Sequence, residues 1–163
     1  MELFSGESTC FYLCYRSQTS NGANNVERPV WSNINDAIAE VLHDGGMVKL
    51  YKFPQDSGYV KFLEMISLKT KFKILATTND DNYYYRIREW WDPTEPPFSG
   101  VTLIGDDEFD NRTFCTDSNV AYELFEEFYT TEELREGLKN MLQRDLVAKK
   151  SSANRVKGGE QET

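Results

Sequence analysis

Cysteine, histidine and long apolar runs are all scarce in this sequence, and each scarcity removes a class of protein. The cysteines are three, Cys10, Cys14 and Cys115, an odd number without the spacing of a secreted disulfide scaffold. Cys10 and Cys14 have no further ligands at metal spacing, so no metal site is expected. They read as small apolar side chains in a reducing compartment. The single histidine, His43, falls in the last turn of an expected helix. With no nucleophile or orienting carboxylate nearby in motif form, it reads as a surface or capping residue. No apolar run approaches the ~20 residues of a transmembrane helix. The N-terminus has no basic residues ahead of an apolar stretch, so no signal peptide is expected. There is no phosphate-binding glycine loop, no G-x-S-x-G, no H-E-x-x-H, no C-x-x-C and no internal repeat. These absences favour a non-enzymatic cytoplasmic protein without cofactor.

Acidic charge is plentiful. The chain of 163 residues carries a formal net charge of −9, unevenly spread. From Leu146 onward there are four basic residues (Lys149, Lys150, Arg155, Lys157) and two acidic ones (Glu160, Glu162), which leaves 14 basic against 25 acidic residues in the preceding body. Such a body repels nucleic acid and anionic membrane and favours a basic protein partner. The length suits one domain, expected over residues 1–148, with a disordered polar tail over 149–163.

The periodicities predict an α+β domain. Thr9–Arg16 reads as a strand, and Ser17–Pro29 as a loop. A helix follows, introduced by Trp31, capped by Ser32, striped by Ile34, Ala37, Ile38, Val41 and Leu42, and ended by Gly45-Gly46. Strands are expected at Met47–Phe53, Tyr59–Ser67 and from Phe72, the last with Lys71 and Lys73 on a wet face. A turn at Asn79–Asn82 leads to a return strand, Tyr83–Trp91. Pro93, Pro96 and Pro97 mark a loop, then come a short strand at Val101–Ile104 and an acidic loop, Gly105–Asn111. Two consecutive helices close the domain. The first has Ala121, Leu124, Phe125 and Phe128 as its stripe and Thr116, Asp117 and Ser118 as candidate caps. The second is expected behind a Thr130/Glu133 capping box, with Leu134, Leu138, Met141 and Leu142. Five to six adjacent strands joined by short turns, with helices grouped on either side, make an antiparallel meander.

Two stretches carry candidate chemistry. Asp106, Glu108, Asp110 and Asp117 fall at positions one, three, five and twelve of a calcium loop, but Asn111 replaces the turn glycine and Asp117 the bidentate glutamate. A charged surface loop is the simpler reading. Tyr83, Tyr84, Tyr85, Trp90 and Trp91, with Arg86 and Arg88 between, could stack bases, yet the acidic body opposes that. Aromatic and Arg residues on an uncovered face instead suit a protein interface.

Pro29–Ile38, Gly45–Leu50 and Ala121–Tyr129 resemble small bacterial immunity proteins, the cytoplasmic antidotes of contact-dependent or polymorphic toxins. The resemblance implies a non-enzymatic protein that blocks the active site of one cognate toxin domain, many of which are basic nucleases. An acidic partner is steered onto a site built for phosphate. The expected partner-binding residues are Asp106, Asp107, Glu108 and Asp110, with Trp90 and Trp91 as anchors. The alternatives are an intracellular adaptor using the same surface, and a carboxylate-based enzyme, which would need a pocket with two converging carboxylates of raised pKa.

Overall fold

A computed structural model describes residues 8–79 and 85–159, with side chains at 8–79 and 86–152. The α+β class holds: an antiparallel meander with one helix early and two near the C-terminal end. The main sheet has seven strands in the order β2-β1-β3-β4-β5-β6-β9. They are β1 (Cys10–Ser17), β2 (Asn24–Glu27), β3 (Gly46–Phe53), β4 (Val60–Ser67), β5 (Phe72–Asn79), β6 (Tyr85–Trp90) and β9 (Met141–Gln143). The strands β7 (Val101–Ile104) and β8 (Asp107–Asp110) form a separate hairpin.

Helices α1 (Trp31–Asp44) and α2 (Ser118–Thr131) cover one face of the sheet. Their stripes are as the 3.6-residue period predicts: Ile34, Ala37, Ile38 and Val41 of α1, and Ala121, Leu124, Phe125 and Phe128 of α2, are buried. They meet Leu13 of β1, Val48 and Leu50 of β3, Leu63 and Met65 of β4, and Ile74 and Ala76 of β5 in one core. Asp117 caps α2 by accepting from the Asn119 N–H at 3.0 Å. At α1 the cap is not Ser32. The Asn33 side chain reaches back to accept from the Val30 N–H at 2.9 Å. Gly45, at φ 79°, ends the helix in a backbone region that costs glycine little.

The departures from the sequence reading have local causes. The stretch Ser17–Pro29 is not all loop, because Asn24–Glu27 pairs with β1. Only Asn79 of the expected turn at Asn79–Asn82 is described, and Tyr83 and Tyr84 lie outside the described residues. Gly105–Asn111 is not a loop either. Gly105, at φ 61°, and Asp106 form a two-residue turn, and Asp107–Asp110 pairs back onto β7.

The second C-terminal helix does not occupy Leu134–Leu142. Glu132 closes α2 in the left-handed conformation, and Thr130 donates to the Glu126 carbonyl instead of capping a new helix. The Glu127 carboxylate then accepts from the N–H groups of Glu136 and Gly137 at 3.0 and 2.8 Å. That holds a single 3-10 turn, Gly137–Asn140. A Cβ on Gly137 would meet Leu124 Cδ2 at 2.3 Å, so a larger residue there would have to displace the Leu124 side chain. Met141–Gln143 follows as the edge strand β9 beside β6. The third helix, α3, is Arg144–Gly159, so the chain continues helical past Ala148.

Candidate functional site

Because side chains alternate along a strand, every residue facing α1 and α2 has neighbours turned the other way. On β1 these include Cys10, Tyr12 and Cys14; on β3, Lys49, Tyr51 and Phe53; on β4, Phe62, Glu64 and Ile66. The register puts Tyr51 between Tyr12 and Phe62. Its ring centroid lies 6.4 Å from Tyr12, 5.1 Å from Phe62 and 6.2 Å from Phe53. Tyr12, Tyr51 and Phe62 are half-buried, and Phe53 is 38% exposed. The Lys49 ammonium sits 5.6 Å from the Phe62 ring centroid and 3.9 Å from Glu64. Burial pushes the Glu64 carboxyl above the usual range, against the opposing pull of Lys49 and Arg144. This half of the face is a connected aromatic strip carrying a carboxylate that is poorly hydrated.

The other half is covered, which corrects the expected wet face of β5. Phe72–Thr78 is buried on both sides. Lys73, at 0% exposure, donates to Glu89 Oε1 at 3.1 Å and Thr113 Oγ1 at 2.9 Å. Its ammonium lies 4.6 and 5.2 Å from the ring centroids of Phe109 and Phe114. Burial pulls the Lys73 pKa down, and Glu89 offsets only part of that. Arg144 adds a second cation, 3.6 Å from Glu89.

Beside them Arg112 grips Asp110 through both nitrogens, at 3.0 and 2.7 Å, the fork geometry that suits guanidinium and carboxylate. Ser151 donates to the same carboxylate at 2.6 Å. Burial alone would raise the Asp110 pKa; the bonds from Arg112 and Ser151 outweigh it and hold the carboxyl below its usual value. A cleft of about 420 Å³ remains between the hairpin and α3, bordered by Glu89, Asp107, Glu108, Asp110, Arg144 and Ser151. Its two innermost carboxylates, Glu89 and Asp110, are each paired with a cation. No group of three His, Cys, Asp or Glu side chains among the described residues is arranged to hold a metal ion.

Three of the acidic residues picked out in the sequence, Asp107, Glu108 and Asp110, border that cleft, but they differ in exposure. Asp106 is exposed at the hairpin tip, and Asp107 and Glu108 are exposed on β8. Asp110 is 4% exposed and belongs to the Arg112 pair. Trp90 and Trp91 are not exposed anchors. Trp90 joins the helix-side core at 7% exposure, and Trp91, at 3%, lies beneath Arg112 and Lys150. The aromatic strip of Tyr12, Tyr51, Phe53 and Phe62 was missed as a surface. Its signal was present: aromatics at alternate positions opposite an apolar set on three consecutive strands.

No helix among the described residues is long and apolar enough to cross a membrane. The family described as a family of unknown function, DUF6911, matches residues 9–138, and the chain belongs to it. No curated protein matches the chain. Among solved structures, a hypothetical protein from Neisseria gonorrhoeae is similar at 13% identity and a TM-score of 0.64. The match covers 83% of this chain and 97% of that one, and it extends to the fold alone.

Proposed function

We propose that this member of the DUF6911 family is a non-enzymatic binding protein, an immunity or inhibitor protein that acts in the cytoplasm on a basic, nuclease-like toxin domain and blocks its active site. The observation that carries this reading is the aromatic strip on the sheet face turned away from α1 and α2. Tyr and Phe side chains that stand half in water gain most from a partner that removes the rest, and such residues dominate interface energetics. The acidic body supplies the attraction for a basic partner. The hairpin tip, with Asp106, Asp107 and Glu108 exposed, adds a local negative field beside the same face. Association is then fast and salt-dependent, and release is set by the aromatic contact.

The test is growth rescue. The chain, co-expressed with a toxin domain encoded beside its gene, should restore growth of the host cell. The double variant Tyr51→Ala/Phe62→Ala, checked for folding by circular dichroism, should fail to do so. Rescue by the double variant would remove the aromatic strip from the interface. Absence of rescue by the parent chain would remove the immunity reading itself.

A further inference from the structure

We propose that α3 occupies, within this chain, a surface that a basic segment of the bound partner takes over. The inference rests on the partner-binding reading and names the second part of the binding surface. Four observations converge on it. First, the charge of this segment is opposite to that of the body: Arg144, Lys149, Lys150, Arg155 and Lys157, with Asp145 as its one acid, stand against 13 basic and 24 acidic residues ahead of α3. Second, the contacts that seat α3 are mainly polar. Arg144 lies 3.6 Å from Glu89, Lys150 lies 3.3 Å from Glu95, and Ser151 bonds Asp110. Among its described side chains only Val147 is buried, while Leu146 is 44% exposed. The Lys150–Glu95 pair is exposed at both ends, and such a pair holds weakly and is screened by salt.

Third, the surface beneath α3 has the composition of a binding site. Lys150 sits 5.0 Å from the Trp91 ring centroid, and Arg112 lies 4.6 Å from the same ring. The Trp91 indole N–H is buried with no hydrogen-bond partner among the described residues, a donor that a partner's carbonyl could satisfy. The cleft of about 420 Å³ beside α3 leaves room for a larger occupant. Fourth, the family match ends at residue 138, before α3 begins. The surface it covers is built from matched residues: Glu89, Glu95, Asp110 and Trp91.

A cation over Trp91, a hydroxyl or amide donor to Asp110 and a second cation near Glu89 define the segment that fits. It is a basic peptide stretch presenting two positive side chains about as far apart as Arg144 and Lys150 on one helix face. The tethered α3 competes with any such segment because its local concentration is high. Affinity for an outside segment is therefore reduced to the fraction of molecules in which α3 is undocked.

The experiment uses the full chain and a synthetic peptide with the sequence of residues 144–159. The double variant Lys150→Glu/Ser151→Asp sets carboxylates against Glu95 and Asp110 and should undock α3. Hydrogen exchange in α3 should then quicken while β3 and β4 stay protected. The peptide should bind the variant at least tenfold more tightly than the parent, with affinity falling as salt rises, and a peptide carrying Lys150→Glu should not bind. The milder variant Ser151→Ala, which keeps all charges, should shift peptide affinity in the same direction if the double variant does not fold. Equal peptide affinity for parent and variants, or none for either variant, would overturn the proposal. No toxin enters this assay, so it can fail while growth rescue succeeds, and the reverse.

Discussion

Lys52 and Lys73 lie on adjacent parts of one sheet, both essentially without exposure, yet on opposite faces and in opposite company. Lys52, on β3, reaches the end of α2, where it donates to the Glu132 carbonyl at 2.6 Å and pairs with Glu133 at 3.3 Å. Glu133 keeps 28% of its side chain in water. A cation at a helix C-terminus satisfies carbonyls that the helix leaves open, and the ring of Phe128 lies beside it. Lys73, on β5, has a fully buried partner, a hydroxyl and two aromatic rings. The helix side is thus held by apolar packing with one lysine at its rim, whereas the covered half of the other face is held by ions. Apolar packing tolerates changes of pH and salt better than an ionic cover does. The proposed function would place the contacts with a partner on the ionic side and leave the helix side to keep the fold.

The largest effect that would sharpen this contrast is on the helix side. Phe125→Ala should cost about 3–5 kcal/mol in chemical denaturation, because a cavity adds to the lost transfer energy of a ring at 0% exposure. Glu126→Ala, on the wet side of α2, should change stability by less than about 0.5 kcal/mol.

On the ionic side, Lys73→Met should cost about 3 kcal/mol, since it leaves the Glu89 carboxylate buried with Arg144, 3.6 Å away, as its remaining cation among the described residues. The double variant Lys73→Met/Glu89→Leu should recover most of that loss. If the double variant is as unstable as the single one, the pair is not the cause. Lys52→Met should cost less, about 1–2 kcal/mol, because Glu133 can turn to water once its partner is gone.

Asp110 supplies a pH signature. Its folded pKa is lowered, so its contribution is present above the unfolded value of about 4 and is lost as pH falls through the folded value. Asp110→Asn should flatten the acid limb of stability below about pH 4 while lowering stability at neutral pH. The smallest effect is expected at the hairpin tip. Replacing Asp106, Asp107 and Glu108 by Asn, Asn and Gln should leave the melting temperature within the range of ordinary surface changes while slowing association with a basic partner at low salt.

What the sequence made legible was whatever depends on period alone. The stripes of α1 and α2 and the strands β1, β3, β4 and β7 follow from apolar spacing within the segment itself. What stayed hidden depends on a distant cover. Lys73 alternates with apolar neighbours and so reads as facing water, because nothing local announces that Phe109, Phe114 and Glu89 will close over it. Asp110 reads as one more acid in a run until the fold sets Arg112 and Ser151 around it. Leu134, Leu138, Met141 and Leu142 satisfy a helical period, but Glu127 ties down the N–H groups of Glu136 and Gly137, and the backbone turns into the sheet edge. The aromatic strip needed the strand register to become visible, since Tyr12, Tyr51 and Phe62 come from three separate segments.

The proposal that a partner would bind the sheet face turned away from α1 and α2 can be tested with three built-in probes. Cys10 and Cys14 are half-buried on that face, and Cys115 is buried elsewhere with its thiol pushed up by burial. Alkylation rates of the three thiols, followed by mass spectrometry with and without the proposed toxin partner, would report which surface is covered. Cys10 and Cys14 should be protected several-fold in the complex while Cys115 stays slow in both states. Unchanged alkylation of Cys10 and Cys14 in a fully formed complex would contradict it.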